Sequence, residues 1–193
     1  MSMPASARPL TVDDIRAMRT NERMVIELID GEVFVSPTPS ARHDVLKVRL
    51  INALLQYLEP LGLADAIIVG PAELTWGTRD TYVDPDIWVT DLAERYTFDW
   101  NAVHTVKLAI EIISPSSRRR DRVTKRELYA RMGVDTYWIV DPERHTVEES
   151  MGGDTSLRQL ESAMEWRATA GAPAFVLPLA TLFAGIPKGA MNG

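Results

Sequence analysis

The chain has no cysteine among its 193 residues. This absence excludes a disulfide framework, a thiolate zinc site and a cysteine nucleophile. Long apolar runs are also missing: the first ten residues, MSMPASARPL, contain no apolar signal core, and Pro178 interrupts the longest late apolar stretch. The sequence therefore indicates neither secretion nor a membrane span, and we expect a cytoplasmic protein without a membrane partner.

The chain also lacks an overall excess of positive charge, because its formal net charge is -6. That balance argues against nonspecific coating of nucleic acid. One basic segment stands out: residues 117–126, SRRRDRVTKR, hold six basic residues and one acid. Such a segment is typical either of a patch that binds a few phosphates or of a solvated helix start.

Two catalytic motifs are missing as well. No glycine-rich loop ends in Lys-Ser or Lys-Thr, which argues against a P-loop nucleotide hydrolase. No G-x-S-x-G elbow is present, which argues against a serine hydrolase of that type. With 46% hydrophobic residues the length suffices for one domain. We predict a single domain over 11–186, between a flexible leader, 1–10, and a flexible tail, 187–193.

Apolar periodicity and turn residues predict an α/β fold with a mixed β-sheet. Its core is predicted to run helix, three strands, helix, strand, with β-hairpins added at both ends. The predicted elements are a hairpin turning at Asp30-Gly31, a helix from Ser40 to about Glu59, strands over 66–76, 82–90 and 106–113, a helix over about 118–132, strands over 136–140 and 146–151, and a strand-like segment over 157–166.

Two acids stand where buried strands are predicted. Asp86 lies in YVDPDIWV, and Glu111 lies in VKLAIEIISPS among apolar neighbours. A buried carboxylate is costly unless it is paired or bound to a metal. For Asp86 the alternative is an edge strand with its polar face in water, which Pro85 favours. For Glu111 a metal ion shared with Asp86 is the simplest partner.

A lysine follows on the next predicted element. Lys125 precedes Leu128, Tyr129 and Met132 by three, four and seven residues, so all four lie on one side of the helix, and the opposite side carries Arg120 and Arg131. The lysine either directs its ammonium at the two acids or extends it along its stem to water. Two carboxylates and an ammonium at one site are what a magnesium-dependent phosphodiester hydrolase requires.

Two further residues are weaker candidates from the pattern alone. Glu27 shares a strand face with Val25 and Ile29 in MVIELID, and His43 falls in the first turns of the long helix. A histidine at such a place is more often a satisfied residue at the edge of the core than a ligand.

The strings ELIDGEV, SPTPSARH, DPDIWV, EIISPSS and RDRVTKRELYARMGVDTYWIVDP occur in this order over nearly the whole chain. Together they resemble the Uma-two endonuclease-like family of the PD-(D/E)XK nuclease superfamily. The resemblance implies a restriction-endonuclease-like protein that uses magnesium, with Asp86 and Glu111 as the family's two acids. It also matches the family's early glutamate and histidine to Glu27 and His43.

The chain departs from the superfamily pattern at one position. The usual lysine, two residues after the glutamate, would fall at Ile113, and the resemblance implies that Lys125 on the following helix replaces it. We predict that Asp86, Glu111, Lys125 and Glu27 are catalytic. Asp86, Glu111 and the carbonyl of Ile112 are predicted to bind Mg²⁺, or Mn²⁺ as a substitute.

DNA is the predicted partner. The predicted nucleic-acid contacts are Arg118, Arg119, Arg122 and His43, and a homodimer would suit cutting of two strands. Two alternatives remain open at this stage. One is a nucleic-acid-binding or regulatory module that keeps the fold with little catalysis. The other is a structural protein in which Glu111 and Lys125 form a buried ion pair.

Overall fold

A six-stranded mixed sheet lies at the centre of the fold, and helices cover both of its faces. The structure is a computed structural model that describes residues 8–18, 24–37 and 40–189. Residues 1–7 of the predicted leader and 190–193 of the predicted tail lie outside the described residues. Within the described ranges, no helix combines the length and the apolar character needed to cross a bilayer.

The helices and strands follow the predicted order. The helices are α1 (Val12–Met18), α2 (Ala41–Leu58), α3 (Leu92–Arg95), α4 (Arg126–Arg131) and α5 (Leu179–Leu182), and a π-helical segment, Arg120–Lys125, leads directly into α4. The strands are β1 (Met24–Ile29), β2 (Glu32–Pro37), β3 (Ile67–Val69), β4 (Ile87–Thr90), β5 (Val106–Ile112), β6 (Thr136–Asp141), β7 (Thr146–Met151), β8 (Arg158–Gln159), β9 (Ala163–Trp166) and β10 (Phe175–Pro178).

The sheet order confirms the predicted fold class. The central sheet runs β3-β4-β5-β6-β7-β8, and β5 and β6 pair in parallel while its other neighbours are antiparallel. The crossover between the two parallel strands passes through the π-helical segment and α4, as a strand-helix-strand unit requires. Two hairpins, β1-β2 and β9-β10, form separate small sheets before and after this core.

Helix α2 covers one face of the sheet. Its side-chain cap is Ser40, which accepts a hydrogen bond from the backbone N–H of His43, and Leu46, Leu50, Leu54 and Leu58 form a fully buried stripe at i, i+4 spacing. This stripe packs in one cluster with alternate residues of the central strands, which include Leu108, Ile110 and Ile112.

The other face of the sheet is covered by α4. Leu128 and Tyr129 of α4 pack in a second cluster with Ala109, Ile113 and Ile139. Since side chains alternate along a strand, Glu111 projects toward the same face as Ala109 and Ile113. The sequence argument that both faces around Glu111 are covered is therefore correct, and the side facing α4 is where its partner must lie.

Several predicted strands are shorter in the structure. The strand predicted over 66–76 spans Ile67–Val69, and the strand predicted over 82–90 begins at Ile87. Prolines lack the backbone N–H that a ladder needs, so Gly70-Pro71 and Pro85 interrupt regular pairing. The segment over 157–166 contains two short strands, β8 and β9, separated by a turn.

Candidate active site

A cavity of about 830 Å³ opens at the end of the sheet where β5 ends and β4 begins. The N-terminal turn of α2, the π-helical segment and the β1-β2 hairpin all contribute to its walls. Six of the predicted site residues line it, and they are Glu27, His43, Asp86, Glu111, Ile112 and Lys125. Residues from five separate parts of the chain thus meet in one place.

Lys125 lies at the centre of the charged cluster. Its Nζ is 2.7 Å from Oε1 of Glu111 and 2.7 Å from Oε1 of Glu27, and its side chain is 2% exposed. The ammonium is therefore not extended to solvent along its stem. Tyr129 donates a second hydrogen bond to Oε1 of Glu111, at 2.9 Å, which fixes this carboxylate from the helix side.

Glu27 joins three elements of the fold. It projects from β1 with a side chain that is 1% exposed, and its Oε1 lies 2.7 Å from Nζ of Lys125 and accepts the backbone N–H of Asp84 at 3.1 Å. Its Oε2 lies 3.5 Å from Nη1 of Arg120. The hairpin, the segment before β4 and the π-helical segment are thus connected through one carboxylate.

Asp86 lies one residue before β4, and continuing the register of Ile87 with Ile110 places it opposite Glu111. Its Oδ2 accepts a hydrogen bond from the backbone N–H of Ile112 at 2.9 Å and lies 2.9 Å from Nε2 of His43. Because an ionised carboxylate only accepts, Nε2 of His43 carries the hydrogen. Ile112, predicted to offer its carbonyl to a metal, thus contacts Asp86 through its N–H.

Lys47 is a second basic contact of Asp86. Its Nζ is 3.6 Å from Oδ1 of Asp86 and donates to the carbonyl of Gly70 at 3.1 Å. Burial raises the pKa of Asp86, but the hydrogen bond and charge of His43 and the charge of Lys47 outweigh it, so the pKa lies below its ordinary value. Asp86 is therefore an anion at neutral pH.

The π-helical segment brings two further charged residues into the site. Asp121 is buried, with Oδ1 at 3.9 Å from Nζ of Lys125, and Arg120 lies 3.6 Å from the same oxygen. Arg120 was predicted on the exposed side of a regular helix, and that prediction is wrong because π-helical turns are wider. Single π-turns are often found at functional sites. Tyr137 donates to the backbone carbonyl of Asp121 at 3.1 Å and so supports this turn.

Negative charge is in surplus inside the cavity. Burial raises the pKa of Glu111 well above its ordinary value, and the charges of Asp121, Asp86 and Glu27 raise it further against the opposing effect of Lys125. Burial likewise raises the pKa of Asp121. Burial lowers the pKa of Lys125, yet the surrounding carboxylates outweigh it and raise that pKa above its ordinary value. Lys125 is thus permanently cationic.

The donor chemistry fits a hard divalent cation. Oε2 of Glu27 and Oδ1 of Asp121 are buried and accept no hydrogen bond from the described residues, so these two carboxylates of the cluster are not saturated by the protein. In the part of the chain that is described, no three Asp, Glu or His side chains are grouped closely enough to hold a metal by themselves. Mg²⁺ usually takes only one or two protein carboxylates and completes its shell with waters and substrate phosphates. Asp86 and Glu111 can supply that pair.

Glu111→Gln is expected to stabilise the protein at neutral pH by on the order of 1 kcal/mol, because the buried carboxylate lies among the like charges of Asp121, Asp86 and Glu27. Because the pKa of Glu111 is raised on folding, its contribution to stability is present below its unfolded pKa and is lost as pH rises through the folded one. Glutamine cannot ionise and does not lose that contribution. Thermal melts should show a difference between variant and wild type that is small near pH 4 and larger at pH 7. A difference independent of pH, or a destabilised variant at pH 7, would contradict this expectation.

The predicted arginine contacts lie away from this cluster. Arg118 pairs with Glu143 at 2.5 Å, and Arg122 pairs with Glu148 at 2.5 Å, while Arg119 is exposed. None of these three arginines lines the cavity. His43, predicted with them, lines it and contacts Asp86 instead of facing solvent.

Sequence reasoning missed four contributors to the site, namely Lys47, Arg120, Asp121 and Tyr129. Spacing contained a signal for three of them. Lys47 follows His43 by four residues, Asp121 precedes Lys125 by four, and Tyr129 follows Lys125 by four, so each pair is expected on one helix face. Arg120 lines the cavity because its segment is π-helical, for which spacing alone offers no signal.

Comparison with known proteins gives a consistent result. A family described as "Uma2: Putative restriction endonuclease" matches residues 12–180. Among solved structures, "a putative nuclease belonging to DUF820 from Anabaena variabilis" matches with a TM-score of 0.71 and 21% sequence identity, covering 91% of this chain and 98% of that chain. At this identity the structural likeness shows the fold alone. No curated protein matches the chain.

Proposed function

Because the chain belongs to the Uma2 family, we propose that it is a nuclease that hydrolyses phosphodiester bonds of nucleic acid with the help of Mg²⁺ or Mn²⁺. The observation that carries the proposal is the convergence of Asp86, Glu111 and Lys125 in one cavity, with Lys125 Nζ at 2.7 Å from Glu111. The family assignment supports the same chemistry.

Asp86 and Glu111 would hold the metal, since they are carboxylates on opposed positions of adjacent strands. A bound Mg²⁺ would lower the pKa of a coordinated water and offset negative charge on the phosphate. In the reaction the water oxygen forms a bond to phosphorus while the bond from phosphorus to one ester oxygen breaks. The products are a phosphate monoester and a hydroxyl.

The other residues of the site have roles that follow from their contacts. Lys125 is cationic and cannot accept a proton, so it would stabilise negative charge that develops on the phosphate oxygens. His43 and the N–H of Ile112 hold Oδ2 of Asp86 in place. Glu27 and Tyr129 hold Lys125 and Glu111, respectively.

Incubation of supercoiled plasmid with the purified protein and Mg²⁺ or Mn²⁺ is expected to produce relaxed circles, because one nick releases the supercoils. EDTA should abolish nicking and excess metal should restore it. Gel electrophoresis separates the two plasmid forms. Nicking that survives EDTA, or no cutting of either the plasmid or a single-stranded DNA with either metal, would refute the proposal.

One observation favours a second candidate, a nucleic-acid-binding module with little catalysis. The ammonium of Lys125 is held by two carboxylates, and the superfamily's usual lysine position is occupied by Ile113. This candidate predicts a gel shift with DNA that persists in EDTA and yields no cleavage product. The predicted homodimer stays a prediction, which sedimentation equilibrium can test.

A further inference from the structure

Resting on the proposed nuclease function, we infer that the substrate of this cavity is a single strand, an overhang or a frayed end of nucleic acid, and not an intact duplex. The observation behind this inference is that the charged centre lies at depth and that the basic segment beside it is neutralised by the protein's own acids. Both features limit which phosphates can reach Lys125 and Glu111.

The charged side chains of the site are deeply buried. The side chains of Glu27, Lys125 and Glu111 are 1%, 2% and 7% exposed, and Asp86, the most accessible of the site acids, is 15% exposed. The cavity volume of about 830 Å³ lies in the range of pockets that enclose one small molecule.

A duplex is stiff, with a persistence length of about 150 base pairs, and it presents its phosphates on the outer surface of a rod. Bringing one of them to a recessed centre requires bending or unpairing of the duplex, and either deformation costs free energy. A single strand bends freely and meets no such cost. The recess therefore favours a single-stranded phosphate.

The charge of the basic segment beside the cavity also limits what can bind. The segment over 117–126 contains six basic residues, but acids of the fold pair with most of them. The pairs are Arg118 with Glu143, Arg120 with Glu27, Arg122 with Glu148, Lys125 with Glu111, and Arg126 with Glu127. Within the described ranges, Arg119 is the member of this segment for which no ion pair is present.

The walls of the cavity add one more available cation. Of the basic side chains that line it, Arg42 alone has no ion pair among the described residues. A protein that binds duplex DNA through its backbone neutralises several phosphates with Lys and Arg side chains. A site with one or two available guanidinium groups can hold one or two phosphates beside the reacting one, which is what a short flexible strand offers.

The test compares one labelled sequence as a single strand, as a blunt duplex and as a duplex with an overhang, with the full chain and Mn²⁺. We expect the single strand and the overhang to be cut at least tenfold faster than the blunt duplex. Equal or faster cutting of the blunt duplex would overturn the inference while leaving the nuclease proposal intact.

Binding provides a readout that does not depend on cleavage. Fluorescence anisotropy with phosphorothioate strands should show tighter binding of the single strand, with a slope of log affinity against log salt of roughly -0.7 per phosphate held, or about -1.4 for two. If nothing is cut, the nuclease proposal fails and this measurement decides the inference. Equal or tighter binding of the duplex, or no binding of either form, overturns it.

A matched pair of variants connects the binding to this cavity. Arg42→Gln should weaken single-strand binding severalfold and reduce the magnitude of the salt slope by about 0.7, the contribution of one phosphate. Arg79→Gln removes an exposed guanidinium outside the cavity and should change neither quantity. Equal effects of the two variants would place the strand elsewhere on the surface.

Discussion

Lys125→Met is expected to lower the free energy of unfolding by about 3–5 kcal/mol, the usual cost of removing one partner from a buried charge pair. The substitution keeps an unbranched side chain of similar length but removes the ammonium. Glu27 and Glu111 would then lose a contact at 2.7 Å each, and Asp121 would lose one at 3.9 Å. Among the described residues, Arg120 would then be the cation left in ion-pair contact with Glu27 and Asp121.

Thermal denaturation measures this effect directly. For a domain of this size each kcal/mol corresponds to about 2–4 °C, so the melting temperature should fall by roughly 6–20 °C. Part of the loss should be recovered at low pH, where protonation neutralises the carboxylates that Lys125 had balanced. The direction of this pH dependence is the same as for Glu111, because its raised pKa favours the protonated form in the folded state.

Lys107→Met is the matched control. Lys107 pairs with Asp91 at 3.4 Å, and both side chains are partly exposed, at 22% and 44%. Pairs of this kind contribute about 0–1 kcal/mol. If Lys125→Met and Lys107→Met have the same melting temperature, the buried carboxylates do not need the charge of Lys125. Lys125 would then not be the central residue of the site.

The sequence could place Glu111 and Lys125 beside each other because their surroundings are regular. Glu111 is surrounded by apolar residues of a strand that is covered on both faces, so a partner was required. The i, i+3 and i, i+4 spacing of Lys125 with Leu128 and Tyr129 then identified the helix face that supplies it. Both inferences depend only on the alternation of side chains along a strand and on the 3.6-residue repeat of a helix.

The other residues of the site are positioned by backbone that departs from these regular repeats. The π-helical segment turns Arg120 and Asp121 inward, and no glycine or proline in RDRVTK marks it. Its support comes from Tyr137 on β6, a contact between residues 16 positions apart that tertiary packing alone creates. The same reason applies to the arginines. Composition makes residues 117–126 look like a basic patch, whereas the acids that neutralise it come from β1, β7 and the turn after β6.

Asp86→Asn is expected to lower the rate of plasmid nicking by more than about 100-fold while the protein stays folded. Substitution of a residue that merely supports a metal ligand typically costs 10–100-fold, so removal of a charged ligand should cost more. The amide keeps the shape of the side chain, and its oxygen can still accept the N–H of Ile112. The loss should therefore appear in activity, measured as initial rate against metal concentration.

Stability separates this loss from unfolding, and the two acids of the site should behave in opposite ways. The pKa of Asp86 is lowered by folding, so its contribution to stability is present above its unfolded pKa and is lost as pH falls. Asp86→Asn should thus melt slightly below wild type at pH 7, whereas Glu111→Gln should melt above it, although both lose nicking. Asp65→Asn, which alters an exposed carboxylate bonded to Tyr96, should leave nicking unchanged. If Asp86→Asn nicks plasmid at the same rate as Asp65→Asn, Asp86 takes no part in the reaction.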